Sequence, residues 1–132
     1  MGRGQKKSFR IMNLLSNLRT VVNIETLKWE LIEEESQEGE KKVWWYNLSY
    51  DPEKGEGSYL YKMASGAKSN PHEHMGPEEF FILEGDLIDN DGYEYKTGDF
   101  VSLGLGSRHF STSPSGCVIV VTHRGKFNFI KK

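Results

Sequence analysis

Residues 71–85 read PHEHMGPEEFFILEG and contain two of the four histidines of the chain. His72 and His74 are separated by one residue, and alternate residues of a β-strand project from the same face. Glu78 follows four residues later, after a short loop with glycine and proline, so the chain can fold back and bring a carboxylate toward the two imidazoles. Two histidines on one face of a strand and a nearby carboxylate predict a metal site.

A third histidine strengthens this interpretation. His109 follows the glycine-punctuated turn GLGSR, residues 104–108, which lies between two apolar stretches. Neutral imidazoles and one carboxylate suit Fe(II), Mn(II), Ni(II), Zn(II) or Cu(II) and are poor ligands for Ca²⁺ or Mg²⁺. A His-x-His pair alone often occurs by chance on a protein surface. Three of the four histidines together with a spaced glutamate favour a site for one divalent transition metal ion, and we expect iron or zinc before the other metals.

The rest of the chain after residue 27 predicts short strands joined by turns, with no helical period. A charged loop at 33–42 and turns at 51–57 and 84–86 separate some of these strands, and Asp91-Gly92 is a hairpin signal. The predicted strands are 27–34, 43–50, 58–64, 79–83, 87–88, 93–95, 100–103, 117–122 and 127–130. Many short strands with frequent turns indicate an all-β sandwich or barrel.

Length and composition exclude several protein classes. A chain of 132 residues with 36% hydrophobic and 27% charged residues fits one folded domain. The single cysteine, Cys117, excludes a disulfide framework and a cysteine-based zinc cluster, and its apolar neighbours favour a packed side chain over a nucleophile. No apolar run approaches the ~20 residues of a membrane span, so no membrane partner is expected.

The charge is distributed unevenly along the chain. Residues 1–24 contain five basic residues and no acid, so residues 25–132 carry the 19 acidic residues against 12 basic ones. Such an acidic body disfavours nucleic-acid binding. We expect a basic arm or helix at 1–24 and one β-barrel domain at 25–132. The composition of the arm fits an ordinary first helix, and a cytoplasmic location is then expected. The same composition also fits an organellar transit segment, which would give an organellar location as the alternative.

Two glycine-histidine motifs resemble the cupin superfamily. Gly66-x5-His72-x-His74-x3-Glu78-x6-Gly85 is similar to its first motif, and Gly98-x5-Gly104-x-Gly106-x2-His109 to its second. Gly104 stands where the family usually has proline, and Ser113 where it often has asparagine; these departures affect a turn and a hydrogen bond around the ligands. Residues 72–110 look most like the ChrR-like cupins and are also similar to the acetylacetone-cleaving dioxygenases.

The resemblance implies a small jelly-roll barrel (the double-stranded β-helix) with the metal inside. Its ligands would be His72, His74, Glu78 and His109. Glu78 is preferred to Glu79 because it leaves the six residues before Gly85 that the motif requires. Strand alternation then places Phe80 and Ile82 inside the barrel, on the same face as Glu78. Together with Tyr59, Tyr61 and Met63 they form the predicted substrate pocket, and Trp45 is a further candidate at its mouth. His123 is interpreted as a strand-end or core histidine.

Three functions remain open on the sequence alone. The first is a metal-dependent dioxygenase acting on a small organic substrate, in which Glu78 is a ligand or a transient base. The second is a non-catalytic sensor or regulatory module of the ChrR type, although residues 1–65 lack the histidines and cysteines of the zinc module of those proteins. The third is a metal-dependent isomerase or lyase, with Tyr59 or Tyr61 as the base. A homodimer is expected, paired through the 27–34 strand or the arm.

Overall fold

The computed structural model describes residues 15–32 and 41–130, and β-strands dominate this part of the chain. A single helical turn occupies residues 15–18. The strands are β1 (Glu30–Leu31), β2 (Val43–Asn47), β3 (Glu56–Met63), β4 (His72–His74), β5 (Glu78–Asp89), β6 (Glu94–Lys96), β7 (Phe100–Leu103), β8 (Arg108–His109), β9 (Ser111–Thr112), β10 (Cys117–Arg124) and β11 (Phe127–Phe129). Most of the predicted charged loop, residues 33–40, lies outside the described residues.

Two antiparallel sheets form the body of the protein. The larger sheet has the order β1-β2-β3-β10-β5-β6, and β7 and β9 also pair with β5; the smaller sheet has the order β11-β4-β8. The long strand β5 pairs with β10 and β7 in its first half and with β6 and β9 in its second half, so it curls around the core. The predicted all-β jelly-roll architecture is confirmed. Among the described residues, no helix has the length and apolar character that a membrane crossing requires.

One difference from the predicted strands changes which side chains face inward. The turn predicted at 84–86 is wrong, because β5 runs through it as a β-bulge. Opposite β10, the pairing passes from Val118–Glu84 to Ile119–Ile82, so Leu83 is an extra residue in β5. Even-numbered residues are buried before the bulge and odd-numbered ones after it, which places Asp89 in the interior.

The other differences concern strand lengths. Within the described residues, the strand predicted at 27–34 contains only Glu30–Leu31. The two-residue strands β8 and β9 were not predicted, since segments this short have no readable alternation. The strand predicted at 117–122 extends as β10 to Arg124, and this extension places His123 inside the sheet.

A hydrophobic core fills the space enclosed by the larger sheet. Val43, Met63, Phe80 and Ile82 are buried there, together with apolar side chains from β10. Cys117 is one of these core residues and is 5% exposed. Burial raises the pKa of its thiol to about 11, so the group is protonated near neutral pH and packs as a small apolar side chain, as predicted.

The bulge generates a stability prediction at Gly85. Its φ is 82°, and a Cβ atom there would lie 1.9 Å from the carbonyl oxygen of Gly116. We expect Gly85→Ala to lower the free energy of unfolding by roughly 3 kcal/mol or more, because backbone strain and a backbone clash add. Urea unfolding of the purified protein measures this change.

Gly92→Ala is the matched control. Gly92 has a φ of 90°, but nothing lies within 4 Å of a Cβ at that position. The substitution should therefore cost only the backbone strain of about 1 kcal/mol. Equal losses for the two variants would show that the close approach of β5 to Gly116 is unimportant for the fold.

Candidate metal centre

Four predicted ligand residues meet where the smaller sheet faces the start of β5. His72 and His74 lie on β4, and His109 on β8 is the direct cross-strand partner of His72. Glu78 is the first residue of β5. Each of the four residues offers a ligand atom, and these atoms all lie within 4.8 Å of one another. His74 is fully buried and Glu78 is 5% exposed, so the cluster is largely shielded from solvent.

The atoms that converge are the Nε2 nitrogens and the carboxylate oxygens. Nε2 of His72 lies 3.1 Å from Nε2 of His109. Oε2 of Glu78 lies 2.5 Å from Nε2 of His74 and 3.8 Å from Nε2 of His72, while its Oε1 lies 4.0 Å from Nε2 of His109. A single ion can therefore contact all four side chains after small rotations of the rings.

The hydrogen bonds of the Nδ1 nitrogens, which lie away from the cluster, determine which ring nitrogen of each histidine carries the proton. Nδ1–H of His72 donates to the carbonyl oxygen of Asn70 at 2.8 Å, and Nδ1–H of His109 donates to Oδ1 of Asp89 at 3.0 Å. Both of these partners can only accept, which requires the proton on Nδ1.

His74 is held in the same way through a hydroxyl. Its Nδ1 lies 2.8 Å from Oγ of Ser107, and that hydroxyl donates its own proton to the carbonyl oxygen of Gly104 at 2.7 Å. Ser107 must therefore accept from Nδ1–H of His74. All three neutral imidazoles consequently present a lone pair on Nε2 to the same point.

This arrangement fits a transition metal ion. Lone pairs of two imidazoles at 3.1 Å, next to a carboxylate, repel one another unless a cation lies among them. Nε2 of His74 is also buried without a hydrogen-bond partner among the described residues. Three imidazole nitrogens and one carboxylate oxygen are a donor set that Fe, Mn, Ni, Cu and Zn accept, and His72, His74, Glu78 and His109 would hold such an ion.

Electrostatics keep the Glu78 carboxyl ionised. Burial alone would raise its pKa, but polar contacts with the rings of His72 and His74 outweigh burial and hold the pKa well below its usual range. The neighbouring Glu79 faces away from the cluster and is half-buried beside Arg124, with Oε2 and Nη2 3.1 Å apart. The structure therefore brings Glu78, and not Glu79, to the three histidines.

Asp89 is a buried member of the centre that the sequence analysis missed. Besides His109, its carboxylate accepts hydrogen bonds from the hydroxyls of Tyr95 at 2.6 Å and Ser111 at 2.5 Å. Burial would raise its pKa, but these three hydrogen bonds lower it. Strict alternation counted from Glu78 without the bulge would have turned it outward.

An apolar cavity of about 250 Å³ adjoins the cluster. Four of the five predicted pocket residues line it, namely Tyr59, Tyr61, Met63 and Phe80, and so does Trp45. Ile82 does not line it; although it shares a face with Phe80, it is fully buried in the core. The other lining residues are Ile32, Tyr50, Ser69, His72, Glu78, Leu87, His109, Ser111, Ile119, Val121, His123, Phe127 and Phe129.

His123 lies in the cavity wall and is 1% exposed. Its Nε2 is 2.9 Å from the hydroxyl oxygen of Tyr59 and 3.6 Å from Oε2 of Glu78. Burial lowers its pKa more than the nearby Glu78 carboxylate raises it. The structure places this residue in the core, as predicted, and also gives it a polar contact in the cavity that the sequence did not reveal.

Comparison with solved structures finds the same fold in proteins of different function. An acetylacetone dioxygenase from Acinetobacter johnsonii superposes with a TM-score of 0.74 at 21% identity, covering 86% of this chain and 79% of that one. The polyketide cyclase RemF from Streptomyces resistomycificus gives a TM-score of 0.65 at 19% identity, covering 87% of each chain. The anti-sigma factor ChrR of Rhodobacter sphaeroides, in its complex with SigE, gives 0.59 at 18% identity, covering 76% of this chain and 50% of that one.

Sequence comparison identifies the family. A search among curated protein sequences gave no significant match. Residues 17–127 match the ChrR Cupin-like domain, which is most of the chain and includes all four residues of the metal cluster. Both cupin motifs lie within the matched segment, and the solved structures of similar fold include other RmlC-like cupins. The chain therefore belongs to the ChrR cupin-like domain family.

Proposed function

We propose that this protein is a metal-dependent dioxygenase that cleaves a small, uncharged, enolisable compound of the β-diketone type. The observation that carries this proposal is the convergence of three Nε2 lone pairs and one carboxylate beside an apolar cavity. The fold shared with an acetylacetone dioxygenase supports it. A bound Fe(II) or similar ion would supply Lewis acidity and a binding position for the enolate and O₂.

The residues of the chain have separate tasks in this proposal. His72, His74 and His109 would hold the ion through neutral nitrogens, so only the Glu78 carboxylate reduces the positive charge of the ion. The remaining positive charge attracts an anionic enolate. Glu78 is a ligand and, on loosening, can take the proton that the substrate loses on enolisation. Apolar side chains such as Phe80 and Val121 exclude water from the reacting groups.

The cavity favours a small substrate without a carboxylate or phosphate. None of the described residues that line it is Lys or Arg, the side chains that recognise such anions. An engineered apolar cavity of about 150 Å³ holds benzene, so about 250 Å³ is room for a molecule only moderately larger. A short β-diketone has the right size, and its enol is its single ionisable group.

The overall reaction balances without another reactant. With 2,4-pentanedione, both atoms of O₂ enter the products and one carbon–carbon bond breaks, which gives acetic acid and methylglyoxal. O₂ is the oxidant and the diketone supplies all four electrons.

A regulatory function is the second candidate. The family is named for ChrR, and the ChrR structure of similar fold is a complex with the sigma factor SigE. In that case the ion would stabilise a folded module and no substrate would turn over. The predicted homodimer stays a prediction under either function.

The first prediction of the proposal concerns metal binding. Glu78→Gln and His74→Ala should each weaken metal affinity at least about 100-fold, since each removes a ligand. His74→Ala should also abolish the rise in Tm that metal gives the parent protein. Glu79→Gln is the matched control, because that neighbour faces Arg124, and it should retain one ion per chain. Elemental analysis and melting curves with and without chelator measure both effects, and parent-like behaviour of Glu78→Gln would exclude this site.

The second prediction concerns turnover. The Fe(II)-loaded protein should consume O₂ only when 2,4-pentanedione or a related β-diketone is added, with one acetate formed per O₂ consumed. An oxygen electrode and product analysis measure this. The His72→Ala/His74→Ala double variant should show no uptake, and uptake that persists there would indicate adventitious iron. No substrate-dependent uptake with iron, manganese, nickel or copper would contradict the enzyme and favour the regulatory module.

A further inference from the structure

The cavity beside the metal cluster extends along three paired strands of the larger sheet. Glu78 on β5 is paired with His123 on β10, which is paired with Gly57 on β3. Toward the other end of these strands, Met63 on β3 is paired with Cys117 on β10. Gly57 and Met63 are six residues apart, which is about 20 Å along an extended strand. Because Glu78, His123 and Met63 all line the cavity, it leads away from the cluster toward Met63.

The end of the cavity far from the cluster is apolar and closed. Met63, Leu87 and Ile119 line the cavity there. Each is at most 5% exposed, and all three belong to one packed hydrophobic cluster. Leu87 reaches this end from the second half of β5, since it follows Gly85, the cross-strand partner of Cys117. Burial of an alkyl group against these side chains is favourable, whereas a charged or hydrogen-bonding group would lose its water there.

Met63 is the residue that separates this end of the cavity from the core behind it. It is the last residue of β3, and its cross-strand partners are Val43 on β2 and Cys117 on β10. Both partners are buried in the core without lining the cavity, whereas Met63 lines it. Its long thioether side chain therefore occupies space that would otherwise lengthen the cavity.

We propose that Met63 is a specificity-determining residue that limits the length of the alkyl arm of the substrate. The two oxygen atoms of the diketone lie at the cluster, and the arm extends between apolar side chains of β3, β5 and β10 toward Met63. The inference rests on the proposed function only in that a β-diketone is taken to bind beside the metal cluster. A longer arm is excluded because a close-packed core yields little to it.

Binding of two diketones of different length tests the proposal. The protein is loaded with Zn(II), which has no redox chemistry, and titrated calorimetrically with 2,4-pentanedione and 2,4-nonanedione; its zinc content is measured again afterwards. The parent should bind the longer compound no more tightly than the shorter one. Met63→Ala removes Cγ, Sδ and Cε and should lower the Kd of 2,4-nonanedione at least about tenfold, since each methylene that becomes buried contributes about fourfold. The Kd of 2,4-pentanedione should change little.

Three further variants separate cavity length from a general loosening of the core. Val43→Ala truncates a fully buried neighbour of Met63 that does not line the cavity, and it should keep the parent ratio of the two Kd values. Met63→Leu nearly conserves the side-chain volume and should keep that ratio as well. If Met63→Ala does not fold, Met63→Val, whose shorter branched side chain suits a strand, should shift the ratio in the same direction by about fourfold.

The outcomes are distinguishable from those of the proposed function. An unchanged ratio of the two Kd values in Met63→Ala, or the same shift in Val43→Ala, would overturn the role of Met63. Tighter binding of 2,4-nonanedione than of 2,4-pentanedione by the parent would overturn it as well, and so would failure of the zinc-loaded parent to bind either compound. A length preference that shifts in Met63→Ala, in a protein whose iron form consumes no O₂, would support this inference and contradict only the dioxygenase.

Discussion

The proton positions on three histidines are the constraint on which the candidate site depends. A carbonyl oxygen, a serine hydroxyl and the Asp89 carboxylate each take the Nδ1–H of one imidazole. Because the protons are held there, the Nε2 lone pairs converge beside the Glu78 carboxylate, where they repel one another without a cation. The fold thus sustains an unfavourable grouping of acceptors that a metal ion would relieve, which is the usual sign of a functional site.

Strand β5 carries both a residue of the metal cluster and a residue that orients one of its histidines. It begins with the ligand Glu78 and ends with Asp89, which orients His109. The bulge at Leu83 makes both ends face inward, since twelve residues in strict alternation would turn one of the two carboxylates outward. Gly85 is required at this bend by its positive φ and its close approach to Gly116. The last glycine of the first motif therefore serves the metal site through backbone geometry.

The sequence was sufficient for those parts of the site that depend on spacing or simple alternation. The His-x-His pair and the inward face of β3 followed from a period of two residues. The choice of Glu78 over Glu79 followed from the motif spacing to Gly85. The structure brings these side chains together. Asp89 and Ile82 could not be placed correctly, because the bulge and the depth of the core are set by pairing with β10. The Tyr59–His123 contact joins strands 64 residues apart in sequence, a distance at which no local pattern acts.

X-ray absorption spectroscopy of the metal-loaded protein identifies the ligands of the ion. We expect nitrogen and oxygen ligands at about 2.0–2.2 Å and outer-shell scattering from three imidazoles. In a His109→Ala variant reloaded with metal, the imidazole contribution should fall to two. An unchanged imidazole contribution in that variant, or a parent spectrum without imidazole scattering, would show that the ion does not bind at His72, His74, Glu78 and His109.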